Sequence, residues 1–158
     1  MSKVIMTIGV SDCGKSTYAQ KYIEENPNTI ELNRDNVRFN YIAPHAKNWS
    51  EYNSNDFNED LVTDIIHKQF IKAVQEGKDV IISDTNLSPY TRARWIQVAN
   101  NYECKLEYIV FNSSFEDIFY HNSSRMFNLP DHVLTNQYKK FTRFLEEIPT
   151  PGVGYSFI

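Results

Sequence analysis

Gly9-Val10-Ser11-Asp12-Cys13-Gly14-Lys15-Ser16 sets two glycines five positions apart and follows the second at once with a lysine and a hydroxyl. That order, G-x-x-x-x-G-K-[ST], is the pattern of a phosphate-cradling loop. Glycines allow the backbone to turn tightly so that successive N–H groups point inward, and a following helix adds its positive N-terminus to the anion site. The loop therefore predicts binding of ATP or another nucleoside triphosphate together with Mg2+. Lys15 would reach the β- and γ-phosphates, Ser16 would ligate the metal, and Thr17 would donate from the helix start. Gly9, Ser11, Asp12, Cys13 and Gly14 form the cradle. Asp12 is unexpected there, since a carboxylate beside phosphates repels them unless it turns to solvent and leaves only its N–H in the cradle. Cys13 has two readings, a thiol of lowered pKa at a helix N-terminus or a small filler in the loop, and the filler is favoured.

Transfer of a phosphoryl group to a hydroxyl requires a second chemistry, a carboxylate able to take the acceptor's proton. Asp35, in Asn33-Arg34-Asp35-Asn36-Val37-Arg38, is the candidate. The same residue reads equally well as a helix N-cap with no chemical role. Arg38, three residues on, would share a helix face with Asp35 and could bind a substrate phosphate, although a lone helical arginine is usually solvated.

The elements needed to position these groups are legible. Val4–Ile8 is a β-branched-rich strand ahead of the loop, and the amphipathic run from Ser16 to Glu25 is a helix. Asn28–Leu32 predicts a second strand, 45–55 a polar loop, and 56–75 a helix ended by Gly77. Val80-Ile81-Ile82 is a continuous apolar run suited to a strand covered on both faces. Asp84-Thr85-Asn86 follows it, then a helix over 89–100 with Pro89 in its first turn. Leu106–Phe111 is the fourth strand, Ser113 or Ser114 caps the next helix, and Asp131 opens a last helix through Glu147. Alternating strands and helices predict an α/β fold with a parallel sheet of about four strands, helices on both faces, and ligands at the carboxyl edge. Gly9, Asp35 and Asp84 all fall at that edge. Residues 1–148 are read as one domain and 149–158, beginning Pro149-Thr150-Pro151-Gly152, as a linker-like tail.

The remaining composition narrows the function classes. A chain of 158 residues is the size of one domain, and no apolar run approaches the roughly 18 residues needed to cross a bilayer. Two cysteines, Cys13 and Cys104, suggest neither a disulfide framework nor a metal cluster, which fits a cytoplasmic protein with no membrane partner. The net charge is −4, and residues 51–77 alone, with six acids against two bases, account for it. That balance argues against coating a nucleic acid broadly, but not against reading one end of a strand.

With these segments in place, the chain resembles the kinase domain of the bacteriophage 5′-hydroxyl polynucleotide kinases. The resemblance rests on Thr7-Ile8-Gly9 with Gly14-Lys15-Ser16-Thr17, on Asn33-Arg34-Asp35 with Arg38, and on Ile81-Ile82-Ser83-Asp84-Thr85-Asn86-Leu87 with Pro89. Asn122-Ser123 with Arg125, followed by Pro130, completes it. The resemblance implies that Asp35 is the general base on a 5′-hydroxyl of RNA or DNA and that Arg38 contacts the phosphate 3′ to the acceptor nucleoside. It implies a helical lid carrying Arg125 onto the donor phosphates, and an acceptor site lined by Asp84 and Thr85, with Asp84 a candidate to hold a magnesium-bound water. Leu129 would press on the terminal nucleotide, although a core role is at least as well supported. His121 stands where a second lid arginine would be expected, and its plainer reading is a partly exposed helix residue. Larger members continue into a phosphatase domain marked by D-x-D-G-T. That motif is missing from this sequence, so no 3′-phosphatase activity is implied, and host cytoplasm is the implied location if the gene is phage-borne.

The expected activity is transfer of the γ-phosphoryl of ATP to a polynucleotide 5′-hydroxyl in the healing of nucleic-acid ends. A P-loop kinase of a small hydroxyl compound such as a nucleoside or sugar would share everything through Ser16. A non-catalytic switch module that only binds triphosphate is the third reading, and Asp35 is what separates it from the others.

Overall fold

In the computed structural model, which describes residues 1–11, 13–47, 49–124 and 129–158, strand β1 (Lys3–Ile8) lies at the centre of a five-stranded sheet. Helix α1 (Lys15–Glu25) leads to β2 (Thr29–Leu32), then the short α2 (Arg34–Val37) and a π-helical turn over Arg38–Ile42. Then follow α3 (Asp56–Gln75), β3 (Asp79–Ile82), α4 (Pro89–Asn101), β4 (Lys105–Val110), α5 (Phe115–Ser123), α6 (Asp131–Glu147) and β5 (Val153–Phe157). The strand order is β2-β3-β1-β4-β5, every pairing parallel.

A parallel sheet is stable only when both faces are covered, and alternation along β1 divides its side chains accordingly. Ile5, with Ile81, Ile109 and Phe111, packs against Ala19, Tyr18, Tyr22 and Ile23 of α1. Val4, Met6 and Ile8 join the larger core with Phe70 of α3, Trp95 of α4, and Leu134, Phe141 and Phe144 of α6. Burial of this apolar surface, at roughly 25 cal/mol per Å2, is what aligns the strand ends and so places their loops side by side.

Two sequence expectations change. The sheet has five strands, not about four: Val153–Phe157 extends the ladder beside β4, from Leu106↔Val153 to Val110↔Phe157, within residues read as a tail. Val153 is buried and belongs to the main core, so this end of the described chain is part of the sheet. The second change concerns α2, whose N-cap is Asn33. The Asn36 N–H donates to the Asn33 side-chain oxygen at 3.2 Å, leaving Asp35 inside the first turn. The helix begins earlier because the Asp84 carboxylate takes the Arg34 N–H at 2.9 Å.

Candidate active site

The carboxyl ends of β1, β2 and β3 bring the phosphate loop, the Asp35 turn and the Asp84 loop to one edge. The loop start is fixed from below: the Gly9 N–H donates to the Thr85 carbonyl at 3.1 Å. A Cβ on Gly9 would stand 2.6 Å from Cys13 Sγ and 3.1 Å from Phe111 Cβ, so a side chain there would have to displace the thiol and press on Phe111. Gly14 has φ of +98°, the left-handed region that glycine enters without strain, and turns the chain into α1. From α6, the Gln137 side-chain oxygen accepts the Ser11 N–H at 2.8 Å and ties the loop's other limb to the far face.

Gly14, Lys15, Ser16 and Thr17 line a pocket of about 260 Å3. Lys15 is buried, its Nζ donating to the Val10 carbonyl at 2.5 Å and to Cys13 Sγ at 3.5 Å. Ser16 and Thr17 are exposed at the helix start. Cys13 is half-buried, and burial pushes its thiol up against the opposing charge of Lys15, which agrees with the filler reading and not with an activated thiol. Asp12 lies outside the described residues, as does Arg125.

Beyond β2, Asp35 and Arg38 meet as their spacing predicts: Arg38 Nη1 donates to Asp35 Oδ1 at 2.8 Å. Arg38 is then gripped a second time. Its Nε and Nη2 donate to the two oxygens of Glu59, at 3.1 and 2.6 Å, in the bidentate geometry that suits a guanidinium. Glu59 also accepts from the Tyr52 hydroxyl at 2.7 Å and from Arg34 Nη2 at 3.3 Å. Arg34 is held in turn by Thr63 and by the Glu59 carbonyl. Two arginines and two carboxylates thus balance in charge, and Arg38 keeps N–H groups not taken by either acid. A π-helical turn begins at Arg38 itself, and such turns recur at functional sites.

Burial by itself raises the Glu59 carboxyl, but hydrogen bonds from Arg38 and Tyr52 and the charges of Arg38 and Arg34 outweigh it and hold the group at about 2. A carboxylate depressed in the folded state stabilises the fold above its ordinary value of 4.5 and loses that contribution as pH falls toward about 2. Urea denaturation of the wild type should therefore weaken across that window, and Glu59→Gln should show a flatter acid limb. Equal slopes would show that the network does not hold in solution.

Asp84 is half-buried, and burial raises its carboxyl to about 6 despite the Arg34 N–H and charge. Its loop is clasped from within: Asn86 Nδ2 donates to the carbonyls of Thr7, Ile82 and Asp84 at 2.8, 3.2 and 3.2 Å. Asn86 has φ of +50°, and buried Arg92 holds its carbonyl at 3.0 Å while pairing with Glu147 at 2.7 Å. Asn86 thus caps its own turn, whereas the Asp84 carboxylate reaches across to the Asp35 turn. Leu129 packs against the main core, and its backbone exchanges two 2.8 Å hydrogen bonds with the Asn122 side chain, which favours its core reading. His121 is exposed near the end of α5, as its plainer reading expected.

The donor set at this edge fits Mg2+. No group of three or more His, Cys, Asp or Glu residues is arranged for a metal among the described residues. Mg2+ keeps several waters and takes few protein ligands beside substrate phosphates, so one exposed hydroxyl at Ser16, with Asp84 nearby on the same edge, is the kind of set it uses.

Glu59, Tyr52, Arg34, Asn33 and Gln137 were not singled out from the sequence as site residues. Asn33 carries a local signal, an Asx residue three positions before another polar helix residue. Glu59 and Gln137 carry none, being joined to the site only through the fold.

This architecture is the P-loop kinase fold. The profile of the AAA domain family matches residues 4–147, and the chain belongs to that family. A putative bifunctional polynucleotide kinase/RNA ligase of Autographa californica nuclear polyhedrosis virus is 30% identical over 89% of this chain and 21% of its own length. An L-seryl-tRNA(Sec) kinase of Methanococcus maripaludis is 26% identical over 98% of this chain and 55% of its own. The chain therefore spans about a fifth and about half of these two relatives. Among solved structures, one of a Pnkp1/Rnl/Hen1 RNA repair complex superposes with a TM-score of 0.80 at 19% identity, over 93% of this chain and 46% of that one. Gluconokinase and sugar kinase structures share the fold as well. The two kinase relatives support a phosphoryl-transferring role and leave the acceptor open, and the solved structures show the fold. Among the described residues no helix is long and apolar enough to cross a membrane.

Proposed function

We propose that the chain transfers the γ-phosphoryl group of ATP to the 5′-hydroxyl end of a polynucleotide, RNA or DNA. The observation that carries this reading is the Asp35–Arg38–Glu59 cluster at the acceptor edge. It sets a carboxylate for a hydroxyl proton beside an arginine whose charge is balanced and whose remaining N–H groups suit a phosphate. A small hydroxyl substrate without a phosphate would have no use for that arginine. The viral relative, whose name carries polynucleotide kinase, supports the same acceptor class.

In this mechanism Asp35 Oδ2, which has no hydrogen-bond partner among the described residues, accepts the proton of the incoming hydroxyl while Oδ1 stays on Arg38. Arg38 fixes the acceptor by the phosphate 3′ to its terminal nucleoside. Lys15 leaves the Val10 carbonyl for the β- and γ-phosphates, and Gly9 to Thr17 cradle the donor. Arg125 would neutralise charge on the transferring group, as the family resemblance implies. Ser16, with Asp84 through a water, would hold Mg2+, which would supply charge neutralisation on the phosphates. Catalysis is then positioning and electrostatics, as phosphoryl transfer requires.

Incubation with γ-labelled ATP, Mg2+ and 5′-hydroxyl oligonucleotides should label the oligonucleotide, and 5′-phosphorylated controls should stay unlabelled. A nucleoside 3′-monophosphate should be preferred to the free nucleoside by about 10- to 100-fold in kcat/KM, the worth of a charge-assisted contact. Arg38→Ala should erase that preference. No label in the oligonucleotide would defeat the proposal. The second reading, a kinase of another hydroxyl, draws on the seryl-tRNA kinase match and would be favoured by labelling of a small acceptor with no dependence on its phosphate.

A further inference from the structure

Trp49 is 45% exposed in the loop between the π-helical turn and α3. Single exposed aromatics are ordinary, and Tyr41, Phe57 and Tyr90 are more exposed than Trp49. What distinguishes Trp49 is how it is held and what lies beside it. Its indole meets Phe39 edge-to-face with centroids 6.0 Å apart and Tyr52 at 5.6 Å, and those two rings meet each other at 5.8 Å. Tyr52 is buried with Ala43 and Ala46 in a small core of its own, against which Phe39 and Ile42 pack. The Tyr52 hydroxyl is the donor that holds Glu59, and Glu59 is the carboxylate that grips Arg38. The Arg38 guanidinium itself lies over the Trp49 ring, 4.8 Å from its centroid. One packed unit thus fixes both a phosphate-binding arginine and an exposed indole.

We propose that Trp49 is a stacking platform for an acceptor nucleobase, one of the two that flank the phosphate taken by Arg38. This rests on the polynucleotide reading above. Within a nucleotide the base lies one sugar away from its phosphates, so a strand anchored on Arg38 carries a base into reach of a ring in contact with that arginine. Stacking on an aromatic face tolerates any base, which suits an enzyme that reads a strand end and not a sequence. Pinning by Phe39 and Tyr52 removes the ordering cost that a free surface tryptophan would incur on binding. The acidic character of residues 51–77 fits as well, because affinity drawn from stacking does not require many cations.

The test compares two acceptors of equal length and phosphate content, one intact and one abasic at its first two positions, with wild type, Trp49→Phe and Trp49→Ala. Trp49→Ala should lower kcat/KM for the intact acceptor about 5- to 100-fold, chiefly through KM, with Trp49→Phe between the two. On the abasic acceptor the three proteins should be alike, which also shows that the variants are folded. If Trp49 only supports Arg38 through the ring contact, both acceptors will suffer equally and the proposal is overturned. A binding readout stands beside it: titration of the intact acceptor without ATP should quench tryptophan fluorescence in wild type and not in Trp49→Phe, since the other tryptophan, Trp95, is buried. Absence of quenching in wild type would likewise overturn it. If wild type labels no oligonucleotide, the polynucleotide reading itself has failed; if it labels both acceptors equally well, that reading stands and the platform falls.

Discussion

Asp35→Asn is expected to lower kcat by about 10²- to 10⁴-fold, the usual contribution of a positioned general base, while ATP affinity stays at the wild-type level. The expectation follows from what holds Asp35. Asn33 has taken over the capping duty, so the carboxylate is not needed to start α2. Its side chain is 49% exposed and its tie to the protein is the 2.8 Å bond from Arg38. Asparagine retains an oxygen for that bond, so Arg38 keeps its place between the substituted side chain and Glu59. What asparagine cannot do is carry away the proton of the hydroxyl. A single-turnover measurement with saturating ATP, set beside ATP binding by equilibrium titration, separates the two effects. Equal loss of binding and transfer would make Asp35 a structural residue and revive the reading of the chain as a triphosphate-binding switch.

Which residue caps α2 was not legible in Asn33-Arg34-Asp35. Both Asn33 and Asp35 are good caps, and the choice is made by the Asp84 carboxylate, which captures the Arg34 N–H from 50 residues away. The strands, by contrast, were legible from continuous β-branched runs, because a strand covered on both faces must be apolar throughout. β5 was missed although Val153, Tyr155 and Phe157 alternate as a strand should. Pro149, Pro151 and Gly152 just before it read as a linker, and five residues are too few for alternation to overrule them. The phosphate loop was complete in the sequence because its chemistry is local: backbone turn, lysine and hydroxyl follow one another. The Asp35–Arg38–Glu59 cluster was half visible. Arg38 finds Asp35 within one helical turn, but Glu59 is 21 residues further on and joins them only when α3 packs beside the π-helical turn.

Lys15→Met should leave the fold intact and lower kcat/KM by about 10²- to 10³-fold or more, the loss seen when a donor to developing charge is removed. Unlike Asp35→Asn, this variant should also bind ATP more weakly, since the ammonium meets the phosphates before as well as during transfer. Lys15 is buried, and the protein interactions of its Nζ are with the Val10 carbonyl and Cys13 Sγ. Methionine preserves the apolar stem and gives up those contacts, leaving the Val10 carbonyl short of a donor at a modest cost in stability. Circular dichroism should therefore be unchanged. Lys15→Arg should not restore activity, because a planar fork cannot enter a pocket shaped for a point charge. The Val10 carbonyl holds the ammonium at the floor of the loop, and on the proposed reading a phosphate of higher charge draws it away. If Lys15→Met transferred phosphoryl groups at the wild-type rate, Gly9 to Ser16 would be a glycine turn with a lysine stem in it, and the phosphate pocket at Gly14 to Thr17 would have no chemical role.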